Sequence, residues 1–145
     1  MKKIYYLLLL ALPLVLQSCF KDDDDIFDKS ASQRMEERLV HDQQVLMGAT
    51  NGWIMEYFPE KKQSYGGYTM FVKFGDNNAV TVASEKGKAD QTETSMYELI
   101  ADSGPVLTFN THNSLFHYFS DPNNPDEIGP IDSGMGGDYE FMVIE

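Results

Sequence analysis

Hydrophobic and polar positions change rhythm several times along the 145 residues. From Ile4 to Leu16 the chain is apolar apart from two tyrosine hydroxyls and Pro13, and Lys2-Lys3 precede it. Such a run is too short to cross a bilayer as a mature helix and has the shape of a secretory signal. Phe20 to Lys29 is charged and lacks periodicity beyond the local pair Ile26-Phe27. From Ser30 onward, Met35, Leu39, Val40 and Leu46 fall roughly on one helical face. Ser30 with Gln33 fits a capping box, and Gly48 supplies a C-cap. The pattern predicts one amphipathic helix over 30–47, with Arg34, Glu36, Glu37 and Arg38 on its solvent side.

After the turn signal Asn51-Gly52 the period changes to two. Trp53 to Phe58 reads as a short aromatic strand stopped by Pro59. Tyr68 to Phe74 alternates cleanly, Gly75-Asp76-Asn77-Asn78 supplies a hairpin turn, and Val80 to Ala83 returns antiparallel. Further strands are expected at Ser95–Ile100, Val106–Asn110, Ser114–Phe119 and Asp138–Ile144. A long loop rich in Pro, Gly and Asp covers 121–137.

Short strands in succession without a second helical pattern predict a mainly β fold. The expected architecture is an antiparallel β-meander, a partial barrel or sandwich, preceded by one N-terminal amphipathic α-helix. The signal and an acidic tether stand outside it. The expected division is 1–18 signal peptide, 19–29 modified cysteine and tether, and 30–145 the helix-plus-meander domain. A last strand stopping at Glu145 would leave a sheet edge of the kind proteins usually cover, so a C-terminal continuation is expected.

Charge narrows the partners. The chain carries 11 basic and 23 acidic residues, a net charge of −12. Loss of Lys2 and Lys3 with the signal leaves 9 basic residues and −14. A body this acidic disfavours nucleic acid, whose binding depends on neutralising phosphates, and disfavours an anionic lipid surface. A hydrophobic content of 42% is sufficient for a core.

Leu16-Gln17-Ser18-Cys19 resembles a bacterial lipobox, in which the cysteine thiol takes a diacylglyceryl group and becomes the N-terminus after cleavage. Cys19 is the only cysteine. In an exported chain it has no partner for an intramolecular disulfide, and lipidation removes a reactive thiol. One acyl chain holds a protein marginally, whereas two or more retain it stably. Contact with a membrane is therefore expected through the lipid alone.

Several short motifs then fall in a recognisable order. They are Cys19 with its acidic follow-on, Ile26-Phe27-Asp28-Lys29-Ser30-Ala31, Asn51-Gly52-Trp53, Tyr65-Gly66-Gly67-Tyr68 and Val82-Ala83-Ser84-Glu85. Ala101-Asp102-Ser103-Gly104-Pro105-Val106-Leu107 and Gly136-Gly137-Asp138-Tyr139-Glu140-Phe141 complete the set. Together they resemble the lipoproteins of the Bacteroidetes lineage catalogued as domain of unknown function 4302, over essentially the whole mature chain. The resemblance implies an outer-membrane, surface-displayed protein, with Lys21, Asp22, Asp23, Asp24 and Asp25 as the export signal. It implies no established activity and no defined site residues. Nutrient or glycan capture beside uptake porins is the expectation it brings.

Catalytic motifs are absent from the sequence: there is no G-x-S-x-G, H-E-x-x-H or phosphate loop. Ser103 and Ser133, each between Asp and Gly, read as turn chemistry. His112 and His117, five apart on an expected strand, would face opposite sides and would not share a metal. The 121–127 loop has oxygen ligands but lacks the glycine and spacing of an EF-hand. Asp121, Asp126 and Asp132 are its calcium candidates, and a solvated acidic loop is the simpler reading. No metal, cofactor or catalytic residue is expected.

Aromatic residues are the remaining binding candidates, because their faces stack on sugar rings as readily as they fill a core. Tyr65, beside two glycines in a loop, is the first choice, with Trp53, Tyr57 and Tyr68 behind it. The expected function is non-enzymatic: a lipid-anchored accessory that binds a nutrient or glycan. The alternatives are a structural or protein-interaction subunit of a surface complex and the non-catalytic N-terminal part of a longer enzyme.

Overall fold

A computed structural model describes residues 28–144. The signal segment, Cys19, the acidic run 21–25 and Glu145 lie outside the described residues. The helix α1 spans Ala31–Gly48. It is followed by seven strands: β1 (Trp53–Tyr57), β2 (Tyr68–Phe74), β3 (Ala79–Ser84), β4 (Glu93–Met96), β5 (Glu98–Ala101), β6 (Pro105–Thr108) and β7 (Glu140–Met142).

Among the described residues the strands make two antiparallel sheets and no closed barrel. The first sheet has the order β1-β2-β3-β4 and the second β5-β6-β7. The hairpin expected between β2 and β3 is present, pairing Phe74 with Val80 and Met70 with Ser84. Asn77 and Asn78 turn it with φ of 55° and 58°, a conformation that asparagine tolerates better than most side chains.

Alternation sets the core face. Met70, Val72 and Phe74 of β2 and Val80 and Val82 of β3 are buried, while Phe71 on the opposite face of β2 is exposed. Leu99, Leu107 and Phe141 of the second sheet pack against the same core. Between them sits an aromatic cluster. Phe109 stacks on Phe116 with centroids 4.0 Å apart, and Tyr57 and Tyr68 meet Phe119 at 4.9 and 4.7 Å. Truncating a fully buried phenylalanine such as Phe119 typically costs about 3–5 kcal/mol.

Two sequence expectations are corrected. The single strand expected over 95–100 is two strands in different sheets, divided at Tyr97. That ring turns into the core and meets Phe74 edge-on at 4.8 Å. The strand expected over 114–119 is a turn ending in a 3-10 segment, His117–Phe119. Its run of apolar residues is a helical-type turn facing the core, with Leu115, Phe116, Tyr118 and Phe119 all buried. The 121–137 loop, with Asp126 and Glu127 exposed, also delivers Met135 and Asn124 to the interior. The last strand is short, Glu140–Met142, and pairs with β6.

Candidate functional site

The turn after β6 is built around one residue. Asn113 is fully buried. Its Oδ1 accepts the backbone N–H groups of Leu115 and Phe116, both at 3.1 Å. Its Nδ2 donates to the Glu93 carbonyl and to Ser95 Oγ, both at 3.2 Å. Asparagine is suited to cap a helical turn in this way, and here the second half of the amide ties the turn to β4. Beside it, Glu93 accepts the Ser114 backbone N–H at 3.0 Å and the Ser114 hydroxyl. Burial pushes the Glu93 carboxyl up, but the two Ser114 bonds, helped by nearby His112 and His117, outweigh it and hold the carboxyl low.

A second asparagine organises the neighbouring loop. Asn124, also buried, donates from Nδ2 to the carbonyls of Asp121 (3.1 Å) and Ile128 (2.8 Å) and accepts the Ile128 N–H at 3.0 Å. A third segment, the turn after β3, is drawn in by charge. Lys86 Nζ lies 2.8 Å from Asp126 Oδ2, and the Tyr118 hydroxyl donates to the same oxygen. The ammonium also lies 5.0 Å from the Tyr118 ring centroid and 5.4 Å from that of Tyr68, within cation–π range. These bonds hold the Asp126 carboxyl below its ordinary range and the Lys86 ammonium above its own. At the adjacent Gly87 a Cβ would come 2.8 Å from Leu115 Cδ2, so the leucine tip would have to shift to admit a side chain.

The three segments enclose a cleft of about 350 Å³, at the lower end of the small-molecule range. Leu115 and Pro125 give it apolar wall, and His112, His117, Asp121 and Asn123 give it polar groups. His112 and His117 are neighbours with ring centroids 5.4 Å apart. The expectation that they face opposite ways rested on a strand, and the turn replaces it. Among the described residues no three His, Cys, Asp or Glu side chains gather to hold a metal ion.

The aromatic candidates lie elsewhere and do not form one platform. Tyr57 is buried, and its hydroxyl donates to the Asp138 carbonyl at 2.9 Å. Tyr68 is half-buried against Phe119. Trp53 is 40% exposed, with Nε1 donating to the Leu46 carbonyl at 2.9 Å, which fastens the end of α1 to β1. Tyr65 is half-buried and lines a shallow depression of about 160 Å³ with Glu60, Pro130, Ser133 and Met135. Lys86, Asn113 and Asn124 are the site-building residues that the sequence reading passed over. The signal that could have found the turn is Asn113-Ser114, a capping pair ahead of an apolar run.

The family model described as Domain of unknown function (DUF4302) matches residues 23–145. The chain belongs to this family. Comparison of the DUF4302 chain with curated proteins and with solved structures returns no match. The DUF4302 match covers both sheets and every segment that borders the cleft.

Proposed function

We propose that this DUF4302 chain is a lipid-anchored, non-enzymatic binding module of the outer membrane, displayed at the cell surface, that takes a small polar nutrient or a glycan in the His112–His117 cleft. The cleft itself carries the reading. Three separate segments converge on it, and two buried asparagines hold its walls before any ligand arrives. A preformed, partly apolar hollow with a few polar groups is the form small-molecule sites take. The anchor rests on the sequence, on Leu16 to Cys19 and the acidic run after it. Among the described residues no helix is long and apolar enough to cross a membrane.

A glycan and small-nutrient panel run on the purified full chain tests the binding role. Asn123→Trp, which puts a large side chain at the cleft mouth, should abolish the binding that wild type shows. Binding that survives this change would move the site elsewhere, with Tyr65→Ala as the next variant. Cys19→Ser should abolish labelling by a palmitate analogue in cells. Replacing Asp22 to Asp25 with alanine should reduce digestion of the protein by protease added to whole cells.

One observation favours the second reading, a protein-interaction subunit. Ile54 and Phe71, paired across β1 and β2, are 67% and 56% exposed on the outer face of the first sheet. A defined surface partner retained by wild type and lost in Phe71→Glu, without any small-ligand binding, would favour that role.

A further inference from the structure

Taking the cleft as the binding site, we propose that its ligand carries a carboxylate beside hydroxyl groups, as in a hydroxy acid or a uronic acid residue of a glycan. The inference rests on which polar groups the fold has already committed. One oxygen of each carboxylate in the cleft is already engaged. Asp126 Oδ2 receives both Lys86 and Tyr118, and Asp121 Oδ1 receives the Asn123 N–H at 2.8 Å, which leaves Asp126 Oδ1 and Asp121 Oδ2. Gln91 Oε1 receives the Lys88 N–H at 3.1 Å.

The donors are left over. Lys86 spends one N–H on Asp126 and keeps others. Gln91, with its oxygen bonded, has its amide N–H₂ remaining. His117 Nδ1 lies 3.1 Å from both the N–H and the carbonyl oxygen of Asn113, so Nδ1 is committed to that backbone and Nε2 is the ring nitrogen left for a ligand. His112 and the Asn123 amide make no side-chain hydrogen bond among the described residues. A site whose donors outnumber its free acceptors binds a group that only accepts, and a carboxylate does this with charge-assisted strength. Asp121 Oδ2 and Asp126 Oδ1 suit ligand hydroxyls, and Leu115 and Pro125 suit a C–H face.

Calorimetric titration of the full chain in mild detergent tests this with matched probes. Galacturonate and galactose share a ring and differ at the carboxylate, and glycerate represents a free hydroxy acid. Galacturonate should bind about tenfold or more tighter than galactose. His112→Ala, at an exposed position, should weaken galacturonate about tenfold, more than it weakens galactose, with an unchanged unfolding midpoint. Glycerate binding as tightly as galacturonate assigns the ligand to free hydroxy acids; galacturonate alone assigns it to uronic acid residues. Equal binding of galactose and galacturonate, both lost in Asn123→Trp, would overturn the carboxylate and leave the cleft as the site. Absence of galacturonate and glycerate binding at millimolar concentration overturns it as well, and neutral glycans that still bind would keep the broader reading alive.

Discussion

Asn113 makes four hydrogen bonds from a position without solvent access. Alanine there would strand two backbone donors, a carbonyl and a serine hydroxyl, each in or near the interior. An unsatisfied buried group costs about 1–3 kcal/mol, so Asn113→Ala should lose about 3 kcal/mol or more in urea unfolding. Tyr97 is the opposite case. Its hydroxyl is buried and has no hydrogen-bond partner, while its ring fits against Phe74. Tyr97→Phe should therefore leave the fold intact and raise stability by about 1 kcal/mol, read from the same denaturant midpoint. Nothing in the residue types separates these two outcomes. Asparagine reads as turn surface and tyrosine as core, and only the surrounding donors and acceptors reverse the expected importance of their polar atoms.

At the scale of elements, the hairpin from Tyr68 to Ser84 was legible because its period, its turn residues and its one buried face all agree. The 114–119 segment was not legible. Its apolar content is shared by a strand and by a core-facing turn, and six residues are too few for periodicity to decide. The cleft followed from that same segment, so its histidines could not be placed together in advance. The link between β1 and the approach to β7 runs through Tyr57 and the Asp138 carbonyl, and it carries a pH signature. Burial first, and then the Asp138 charge, push the Tyr57 phenol well above its ordinary pKa. The folded chain thus holds this proton where the unfolded chain releases it. The contribution is whole below the ordinary phenol pKa of about 10 and is lost as pH rises above it. Urea midpoints measured from about pH 9 to 11 should fall, and fall less in Tyr57→Phe.

For the molecule as a whole, the mainly β class and the leading helix could be read from the chain, and the point at which the strands divide into two sheets could not. One residue, Tyr97, separates β4 from β5, and no turn signal marks the switch. The two halves are then pressed together at Gly137, where a Cβ would lie 2.6 Å from the Tyr57 hydroxyl and 2.7 Å from Phe119 Cβ. Gly137→Ala should cost about 1–3 kcal/mol through this overpacking. Circular dichroism melts of the variant would show it as a lower midpoint with an unchanged folded spectrum.

The pairing of β7 with β6 has a consequence in time. All the paired strands are consecutive in the chain, and the links within the first sheet are far shorter than the one before β7, so the first sheet can assemble as the chain emerges from its N-terminal end. β7 begins at Glu140, far from its partner at Pro105–Thr108, and loop closure over such a span is slow relative to a hairpin. Until it arrives, the second sheet lacks an edge and Phe141 is missing from the aromatic cluster. The late strand acts as a latch, and a chain halted before it would show a half-built, sticky interior to whatever handles it.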